Sequence, residues 1–234
     1  MITQAAGDAG DDQRRRADAI LHRRTDRLPF TEPRNWESLE PVLRKAVDAG
    51  TVHLDVIADE LRPELAKASQ LTESLRLYDS SYNTELGWWT GHFENSDGIP
   101  RSALVTAAES DRVDVGRPFP VSAHNERRAG TGQDQSTVLV LSTDEDTRDD
   151  ALRCGEALSA VLLECTLAGM ATCTLTQLTE LQSSRHLIGT LTGRAAMPQL
   201  LIRVGEARVL GEVPPMTPRR PLRDVLTFHG DTCG

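Results

Sequence analysis

Residues 22–27 read HRRTDR, which puts Arg23, Arg24 and Arg27 within five positions around Thr25, with Pro29 two residues on. Guanidinium groups bind phosphate oxygens in pairs, and a threonine hydroxyl adds one more hydrogen bond. The chemistry such a cluster offers is anion binding, in a chain whose formal net charge is −9. A second reading competes with it. Positive charge is favoured at a helix C-terminus, so the same residues could be a solvated cluster closing a helix. Arg219 and Arg220, in TPRRPL, form another cluster far along the chain. Phosphate binding is the better account if the fold brings the two clusters together.

Other stretches carry less. VSAHNERR (121–128) lies in a Gly-rich region with no supporting motif. GTGQD is not a phosphate loop, since no Lys-Ser/Thr follows it and no strand leads into it. Adjacent Trp88 and Trp89 must point different ways from a helix, one expected in the core and one at the surface or an interface. His53 is expected to face solvent, and Cys173 to be a buried structural thiol. The four cysteines contain no C-x-x-C pair, and no histidine lies near two of them, so neither zinc nor a disulfide framework is expected. No Ser-His-Asp arrangement stands out. The acidic balance argues against general nucleic-acid binding. The start, MITQAAGDAGDDQRRR, is polar. Neither a signal peptide nor a membrane span is expected, and the expected compartment is cytoplasmic.

These residues need elements to hold them. Residues 1–12 are small and acidic and read as a disordered tail. A helix over 13–22, with Ala17, Ile20 and Leu21 on one face, stops before Pro29. A second starts near Trp36 with Asn35 as N-cap and buries Leu39, Val42, Leu43, Ala46 and Val47. TVHLDVIAD (51–59) alternates like a half-buried strand. Helices are expected over 61–78 and up to Trp89. Residues 91–133, with IPRSALV their only apolar stretch, are too long for a connector and read as a surface excursion or lid. STVLVLST (136–143) reads as a buried strand. A helix over 147–170 follows, apolar on nearly every side. TCTLT (172–176) is a candidate strand. SSRHLIGTLTG is a helix capped by Ser183 or Ser184 and ended by Gly193. PQLLIRVGEA (198–207) is a third strong strand. One α+β domain over 13–234 is the resulting expectation.

Four stretches resemble the nitroreductase family of flavoenzymes, most of all its Acg-type NAD(P)H nitroreductases. They are HRRTDRLPF, YNTELGWWTG, the long run VLVLSTDEDTRDDALRCGEALSAVLLECTLAGMATCTLTQLTEL, and PQLLIRVGEARVLGEVPPMTPRRPLRDVL. The resemblance spans about residues 15–226 and is most specific in the long run. It implies an α+β three-layer sandwich, with a mixed β-sheet flanked by helices and a long apolar central helix. It implies FMN, its phosphate held by Arg23, Arg24, Thr25 and Arg27, with Arg219 and Arg220 closing from the tail. The backbone at Leu175 and Thr176 would lie near the isoalloxazine edge. The flavin would carry the redox chemistry, so no protein general base is implied.

By resemblance the chain is an FMN-binding oxidoreductase. It would take a hydride from NADH or NADPH onto flavin N5 and pass electrons to a nitroaromatic, quinone or similar small-molecule acceptor. A homodimer through helix 147–170 is implied as well. One departure stands against this. The family carries a P-S-x-x-N-x-Q-P-W loop that reaches the partner's flavin, and at that place this chain has DAGTVHLD. VSAHNERR resembles the S-x-H-N part but lacks the Q-P-W. Acg-type chains resemble two fused halves, and this chain matches the second. A shortened member is therefore expected, natural or with a misassigned start. The alternative function is a catalytically inactive flavin-binding or sequestering protein, or a truncated member.

Overall fold

The computed structural model describes residues 10–47, 50–91, 98–100, 103–123, 126–127, 130–207 and 220–227. Its sheet has four strands in the order β1-β2-β4-β3. They are β1 (Val52–Val56), β2 (Thr137–Thr143), β3 (Ala171–Leu175) and β4 (Met197–Gly205). Every pairing between named strands is antiparallel. The expected mixed sheet is thus corrected. Among the described residues, parallel pairing is confined to an isolated bridge between Thr25 and Thr172, where the arginine segment meets the outer edge of β3.

The two central strands, β2 and β4, are buried on both faces, which is why they read as continuous apolar runs. Successive side chains point to opposite faces. Leu139, Leu141, Leu200, Ile202 and Val204 join one core with helices α2 (Trp36–Val47) and α6 (Arg148–Leu167). Val138, Val140 and Leu201 join a second core with α3 (Arg62–Arg76), α7 (Gln177–Glu180) and α8 (Gln182–Thr192). Helices cover both faces of one sheet, the expected three-layer α+β arrangement.

Helix α6 differs from expectation. Cys154, Ala157, Val161, Leu162 and Cys165 form a single buried stripe toward the sheet, while Leu152 and Leu167 are 64% and 43% exposed. The small residues Gly155 and Ser159 also lie on its open side. Helix α1 (Asp11–His22) packs beside α6, with Arg16 2.6 Å from Glu164. Among the described side chains of α1 only Ala19 is buried; Ala17, Ile20 and Leu21 are exposed, so the expected α1 face is not the one that packs. The expected 1–12 tail lies mostly outside the described residues, and α1 already begins at Asp11.

Asn35 takes the N-cap place of α2 with φ 54, and its carbonyl accepts from Ser38 and Leu39. Asparagine tolerates this left-handed conformation better than other side chains. Of the expected α2 stripe, Leu39, Leu43 and Val47 are buried and Val42 is exposed. Gly193 ends α8 in the left-handed region. Its start differs: Ser183 and Ser184 lie inside the helix, and Leu181 occupies the cap without a side-chain bond. Trp88 and Trp89, near the end of α4 (Ser80–Thr90), are both exposed, at 54% and 40%. Neither is the expected core tryptophan; their two rings pack edge-on against each other. Among the described residues, no helix is long and apolar enough to cross a membrane.

Candidate functional site

The arginine segment leaves α1 where the Arg23 N–H closes the last turn onto the Ala19 carbonyl at 2.9 Å. It then runs along the sheet. Asp26 N–H donates to the Thr172 carbonyl at 2.9 Å, and the Asp26 carboxylate accepts from Leu28 N–H at 3.0 Å. Farther on, Thr31 and Glu206 exchange two backbone bonds of 3.0 and 3.1 Å. Gly205 makes this approach possible. A Cβ there would sit 2.6 Å from both the Phe30 Cβ and the Thr31 carbonyl oxygen.

A buried charge network fixes the segment. The Asp134 side chain is fully buried and accepts from Arg203 at 2.6 and 3.1 Å, Arg62 at 2.7 Å and the Ser136 hydroxyl at 2.5 Å. It also accepts from Phe30 N–H at 2.7 Å. Arg203 donates to the Leu28 carbonyl at 2.9 Å and lies over the Phe30 ring at 4.7 Å. Burial by itself would raise the Asp134 pKa; the Arg203 charge and the hydrogen bonds outweigh it and hold the carboxyl below its ordinary value. Arg62 extends the network through two bonds to Asp114, at 2.7 and 2.8 Å. One cluster therefore holds the arginine segment, the start of α3 and the excursion in mutual position.

Between these parts lies a cavity of about 570 Å³. That is within the range of small-ligand sites, roughly 300–1,000 Å³. The end of β3 and the residues after it, Cys173 to Gln177, form its floor together with Arg27. Helices α3 and α4 supply Glu73 and Trp89, and the excursion, which contains the short helix α5 (Ala107–Ser110), supplies Arg117 and Phe119. Edge strand β1 follows α2 closely, and neither lines this cavity.

Ser69, Asp114 and Arg203 on the cavity lining are paired, but other polar groups there lack partners. Gln177 is 3% exposed, and neither atom of its amide has a hydrogen-bond partner. The Arg27 guanidinium stacks on the Phe119 ring at 4.7 Å. Burial lowers its pKa, against opposing effects of Cys173 and then Asp26, and the neighbouring Arg117 charge, the smallest of these effects, lowers it further. A buried amide presenting both a donor and an acceptor fits a ligand with an amide-like edge, and an arginine fits an anion. Both features fit a flavin nucleotide.

Of the sequence-derived candidates, the structure brings together Arg27, Leu175 and Thr176 around this cavity. Thr25 sits at the other end of β3, beside Thr172, and Arg23 and Arg24 do not line the cavity. Arg219 lies outside the described residues, and Arg220 is exposed and away from the cavity wall. His124 and Asn125 of VSAHNERR also lie outside them, while Arg127 binds Glu109 at 3.2 Å. His53 is 2.6 Å from the Asp144 carboxylate. Cys173 is buried, and burial raises its thiol pKa. Among the described residues, no His/Cys/Asp/Glu group could hold a metal ion.

Sequence reasoning missed Asp134, Arg203, Arg117, Phe119 and Gln177. Arg203 had a signal, being the one charge inside LLIRVG. Asp134 sits in GTGQD, a stretch set aside because it fits no phosphate loop.

No family model matches the chain. It is 63% identical to a Mycobacterium tuberculosis protein named "Putative NAD(P)H nitroreductase acg", over 92% of this chain and 65% of that one. A second M. tuberculosis protein of the same described activity, Rv3131, is 31% identical over 91% of this chain and 61% of its own length. The chain thus spans less than two thirds of these relatives. The FMN and NADPH-dependent nitroreductase NfnB of a Sphingopyxis strain superposes with a TM-score of 0.57 at 15% identity, covering 92% of this chain and 99% of that one. A nitroreductase with bound FMN from Desulfitobacterium hafniense also gives 0.57, at 14% identity, over 92% and 98%.

Proposed function

We propose, from the premise that this chain is a homologue of the Acg-type members of the nitroreductase family and carries that family's fold, that it binds FMN and serves an NAD(P)H-dependent reduction. The observation that carries this reading is the cavity at the end of β3. It gathers Arg27, Leu175, Thr176 and the unpaired Gln177 amide in one place. When bound, FMN supplies the redox chemistry, accepting reducing equivalents from NADH or NADPH and passing them to a nitroaromatic or quinone acceptor. The chain's residues bind and orient. Arg27 takes the phosphate; Arg23, Arg24, Thr25 and Arg220, which lie off the cavity lining, and Arg219 are proposed as contacts only for a part of the ligand that extends beyond it. The backbone at Leu175 and Thr176 borders the ring edge. Phe119 and Trp89 restrict water and substrate from the excursion side.

A second reading, sequestration of the flavin without turnover, is favoured by one observation. Excursion residues Gly116–Phe119 already wall the cavity. For assembly, we propose that a second copy covers the open face of α6 at Leu152 and Leu167, through a helix small enough at Gly155 and Ser159 for close approach.

The test is a visible spectrum of the purified protein after FMN addition and removal of excess, with affinity from flavin fluorescence. Wild type is expected to retain flavin. Arg27→Ala should weaken FMN about 10- to 100-fold through loss of charge-assisted bonds. A folded protein that retains none, or an Arg27→Ala variant with unchanged affinity, refutes the assignment. Turnover with NADH, NADPH and a quinone then separates reduction from sequestration.

A further inference from the structure

Arg117 belongs to no motif, yet its surroundings are unusual for a charge. It comes from the excursion and lines the same cavity as Arg27. Its guanidinium lies 5.6 Å from the Phe119 ring and 4.8 Å from the Tyr82 ring. Arg27 shares the Phe119 ring at 4.7 Å, and Arg76 shares the Tyr82 ring at 5.0 Å. The result is a ladder of three guanidiniums and two rings. Arg76 is neutralised by Asp79 and Glu180. Among the described residues, neither Arg27 nor Arg117 has an ion-paired carboxylate or a hydrogen-bond acceptor, and the Arg117 Nε is buried without a partner. Elsewhere this chain pairs its buried arginines thoroughly, as Arg62 and Arg203 show. Two neighbouring, repelling cations held on one aromatic ring, with fork-shaped donors unused, match an anion that bridges them.

We propose that Arg117 is a ligand-binding residue. The excursion uses it to complete, within the one chain, an anion site with Arg27 that takes the phosphate monoester of a flavin nucleotide. The inference rests on the FMN reading above and adds to it a residue from outside the arginine motif. Phe119 supplies the ring that keeps the two guanidiniums apart and oriented before the anion arrives. The unpaired Gln177 amide, in the same cavity, is available to a polar edge of the same ligand.

The experiment compares wild type, Arg117→Met and Arg117→Lys with three probes. FMN and riboflavin, which lacks the phosphate, are titrated by fluorescence. Inorganic phosphate is scored by thermal stabilisation against chloride at matched ionic strength. Arg117→Met is expected to raise the FMN Kd about 10- to 100-fold. It should leave riboflavin within about 2-fold and abolish the phosphate stabilisation, with partial recovery in Arg117→Lys, which keeps the charge but not the fork. If Arg117→Met does not fold, a several-fold loss for FMN but not riboflavin in Arg117→Lys supports the proposal in its place, and no loss overturns it. Equal losses for FMN and riboflavin mean that Arg117 shapes the cavity only, which overturns it. Unchanged FMN affinity and phosphate response overturn it too, while leaving FMN binding intact. A wild type that ignores FMN but is stabilised by phosphate through Arg117 would instead sink the flavin reading and keep the anion site. A wild type that responds to neither probe overturns both.

Discussion

Replacing Asp134 by asparagine keeps the size of the side chain and removes its charge. The carboxylate accepts five hydrogen bonds, from Arg203 twice, Arg62, Ser136 and Phe30. An asparagine offers one acceptor oxygen and turns an N–H₂ toward donors. Arg203, 1% exposed, is left without its counter-charge. Removing one partner of a buried ion pair costs about 3–5 kcal/mol, because the remaining charge stays desolvated. Arg62 retains Asp114, and the substituted amide oxygen would still accept a bond, so about 3 kcal/mol is expected. For a chain of this size that corresponds to roughly 6–12 °C in Tm. Urea unfolding followed by circular dichroism measures it. The geometry adds a local signature, since Phe30 N–H donates to Oδ1 while Arg62 and Ser136 donate to Oδ2: with the amide oxygen kept at the Oδ2 position, the Phe30 amide loses its acceptor and should exchange faster than those of β2. Removing the whole pair, as Asp134→Leu with Arg203→Met, should cost less than Asp134→Leu alone. A loss under about 1 kcal/mol in Asp134→Asn, or a double variant worse than the single, refutes the view that this pair organises the site.

Two further outcomes follow from the same geometry. Gly205→Ala places a Cβ against backbone and the Phe30 stem, so it should destabilise by about 1–3 kcal/mol and weaken FMN binding, by pushing the arginine segment off the sheet; unchanged unfolding and affinity would show that the segment shifts freely. Acid should destabilise in a defined window. Hydrogen bonds from Arg185, then Gln199, lower the Asp146 pKa from 3.8 to about 2, and the Asp134 carboxyl is also depressed. A depressed folded pKa means the contribution is complete above the unfolded value and lost as pH falls through the folded one. Tm should therefore drop between about pH 4 and 2, and Asp146→Asn should flatten part of that slope; solvent screening at this half-exposed group keeps the effect small.

Much of the scaffold was legible because its signals are local. The unbroken apolar runs of β2 and β4 announce strands covered on both faces. Gly193 announces the end of α8, and the stop before Pro29 follows from lost helix geometry. HRRTDR and the long α6 region carried the family resemblance without any coordinates. Local signals also misled. The α6 sequence looks apolar all round, because small and aliphatic residues on its open face cannot be told from core residues by periodicity. Ile20 and Leu21 looked like the packing face of α1, while the buried residue of that helix is small Ala19.

What tertiary structure alone decided is which distant residues meet. Asp134 and Arg203 are 69 positions apart, and Arg62 and Asp134 72. No period in the chain announces such pairs: Arg203 stands out as the one charge inside LLIRVG, but nothing local says which carboxylate it meets. The same holds for Arg27, Tyr82, Arg117 and Phe119, which come from three separate stretches and become a ladder only when the excursion folds over the end of β3. Sequence determined the layers and the arginine motif through local propensity and burial pattern. The site is a matter of long-range electrostatics in a desolvated interior, where a charge acquires meaning from the partner it finds or lacks.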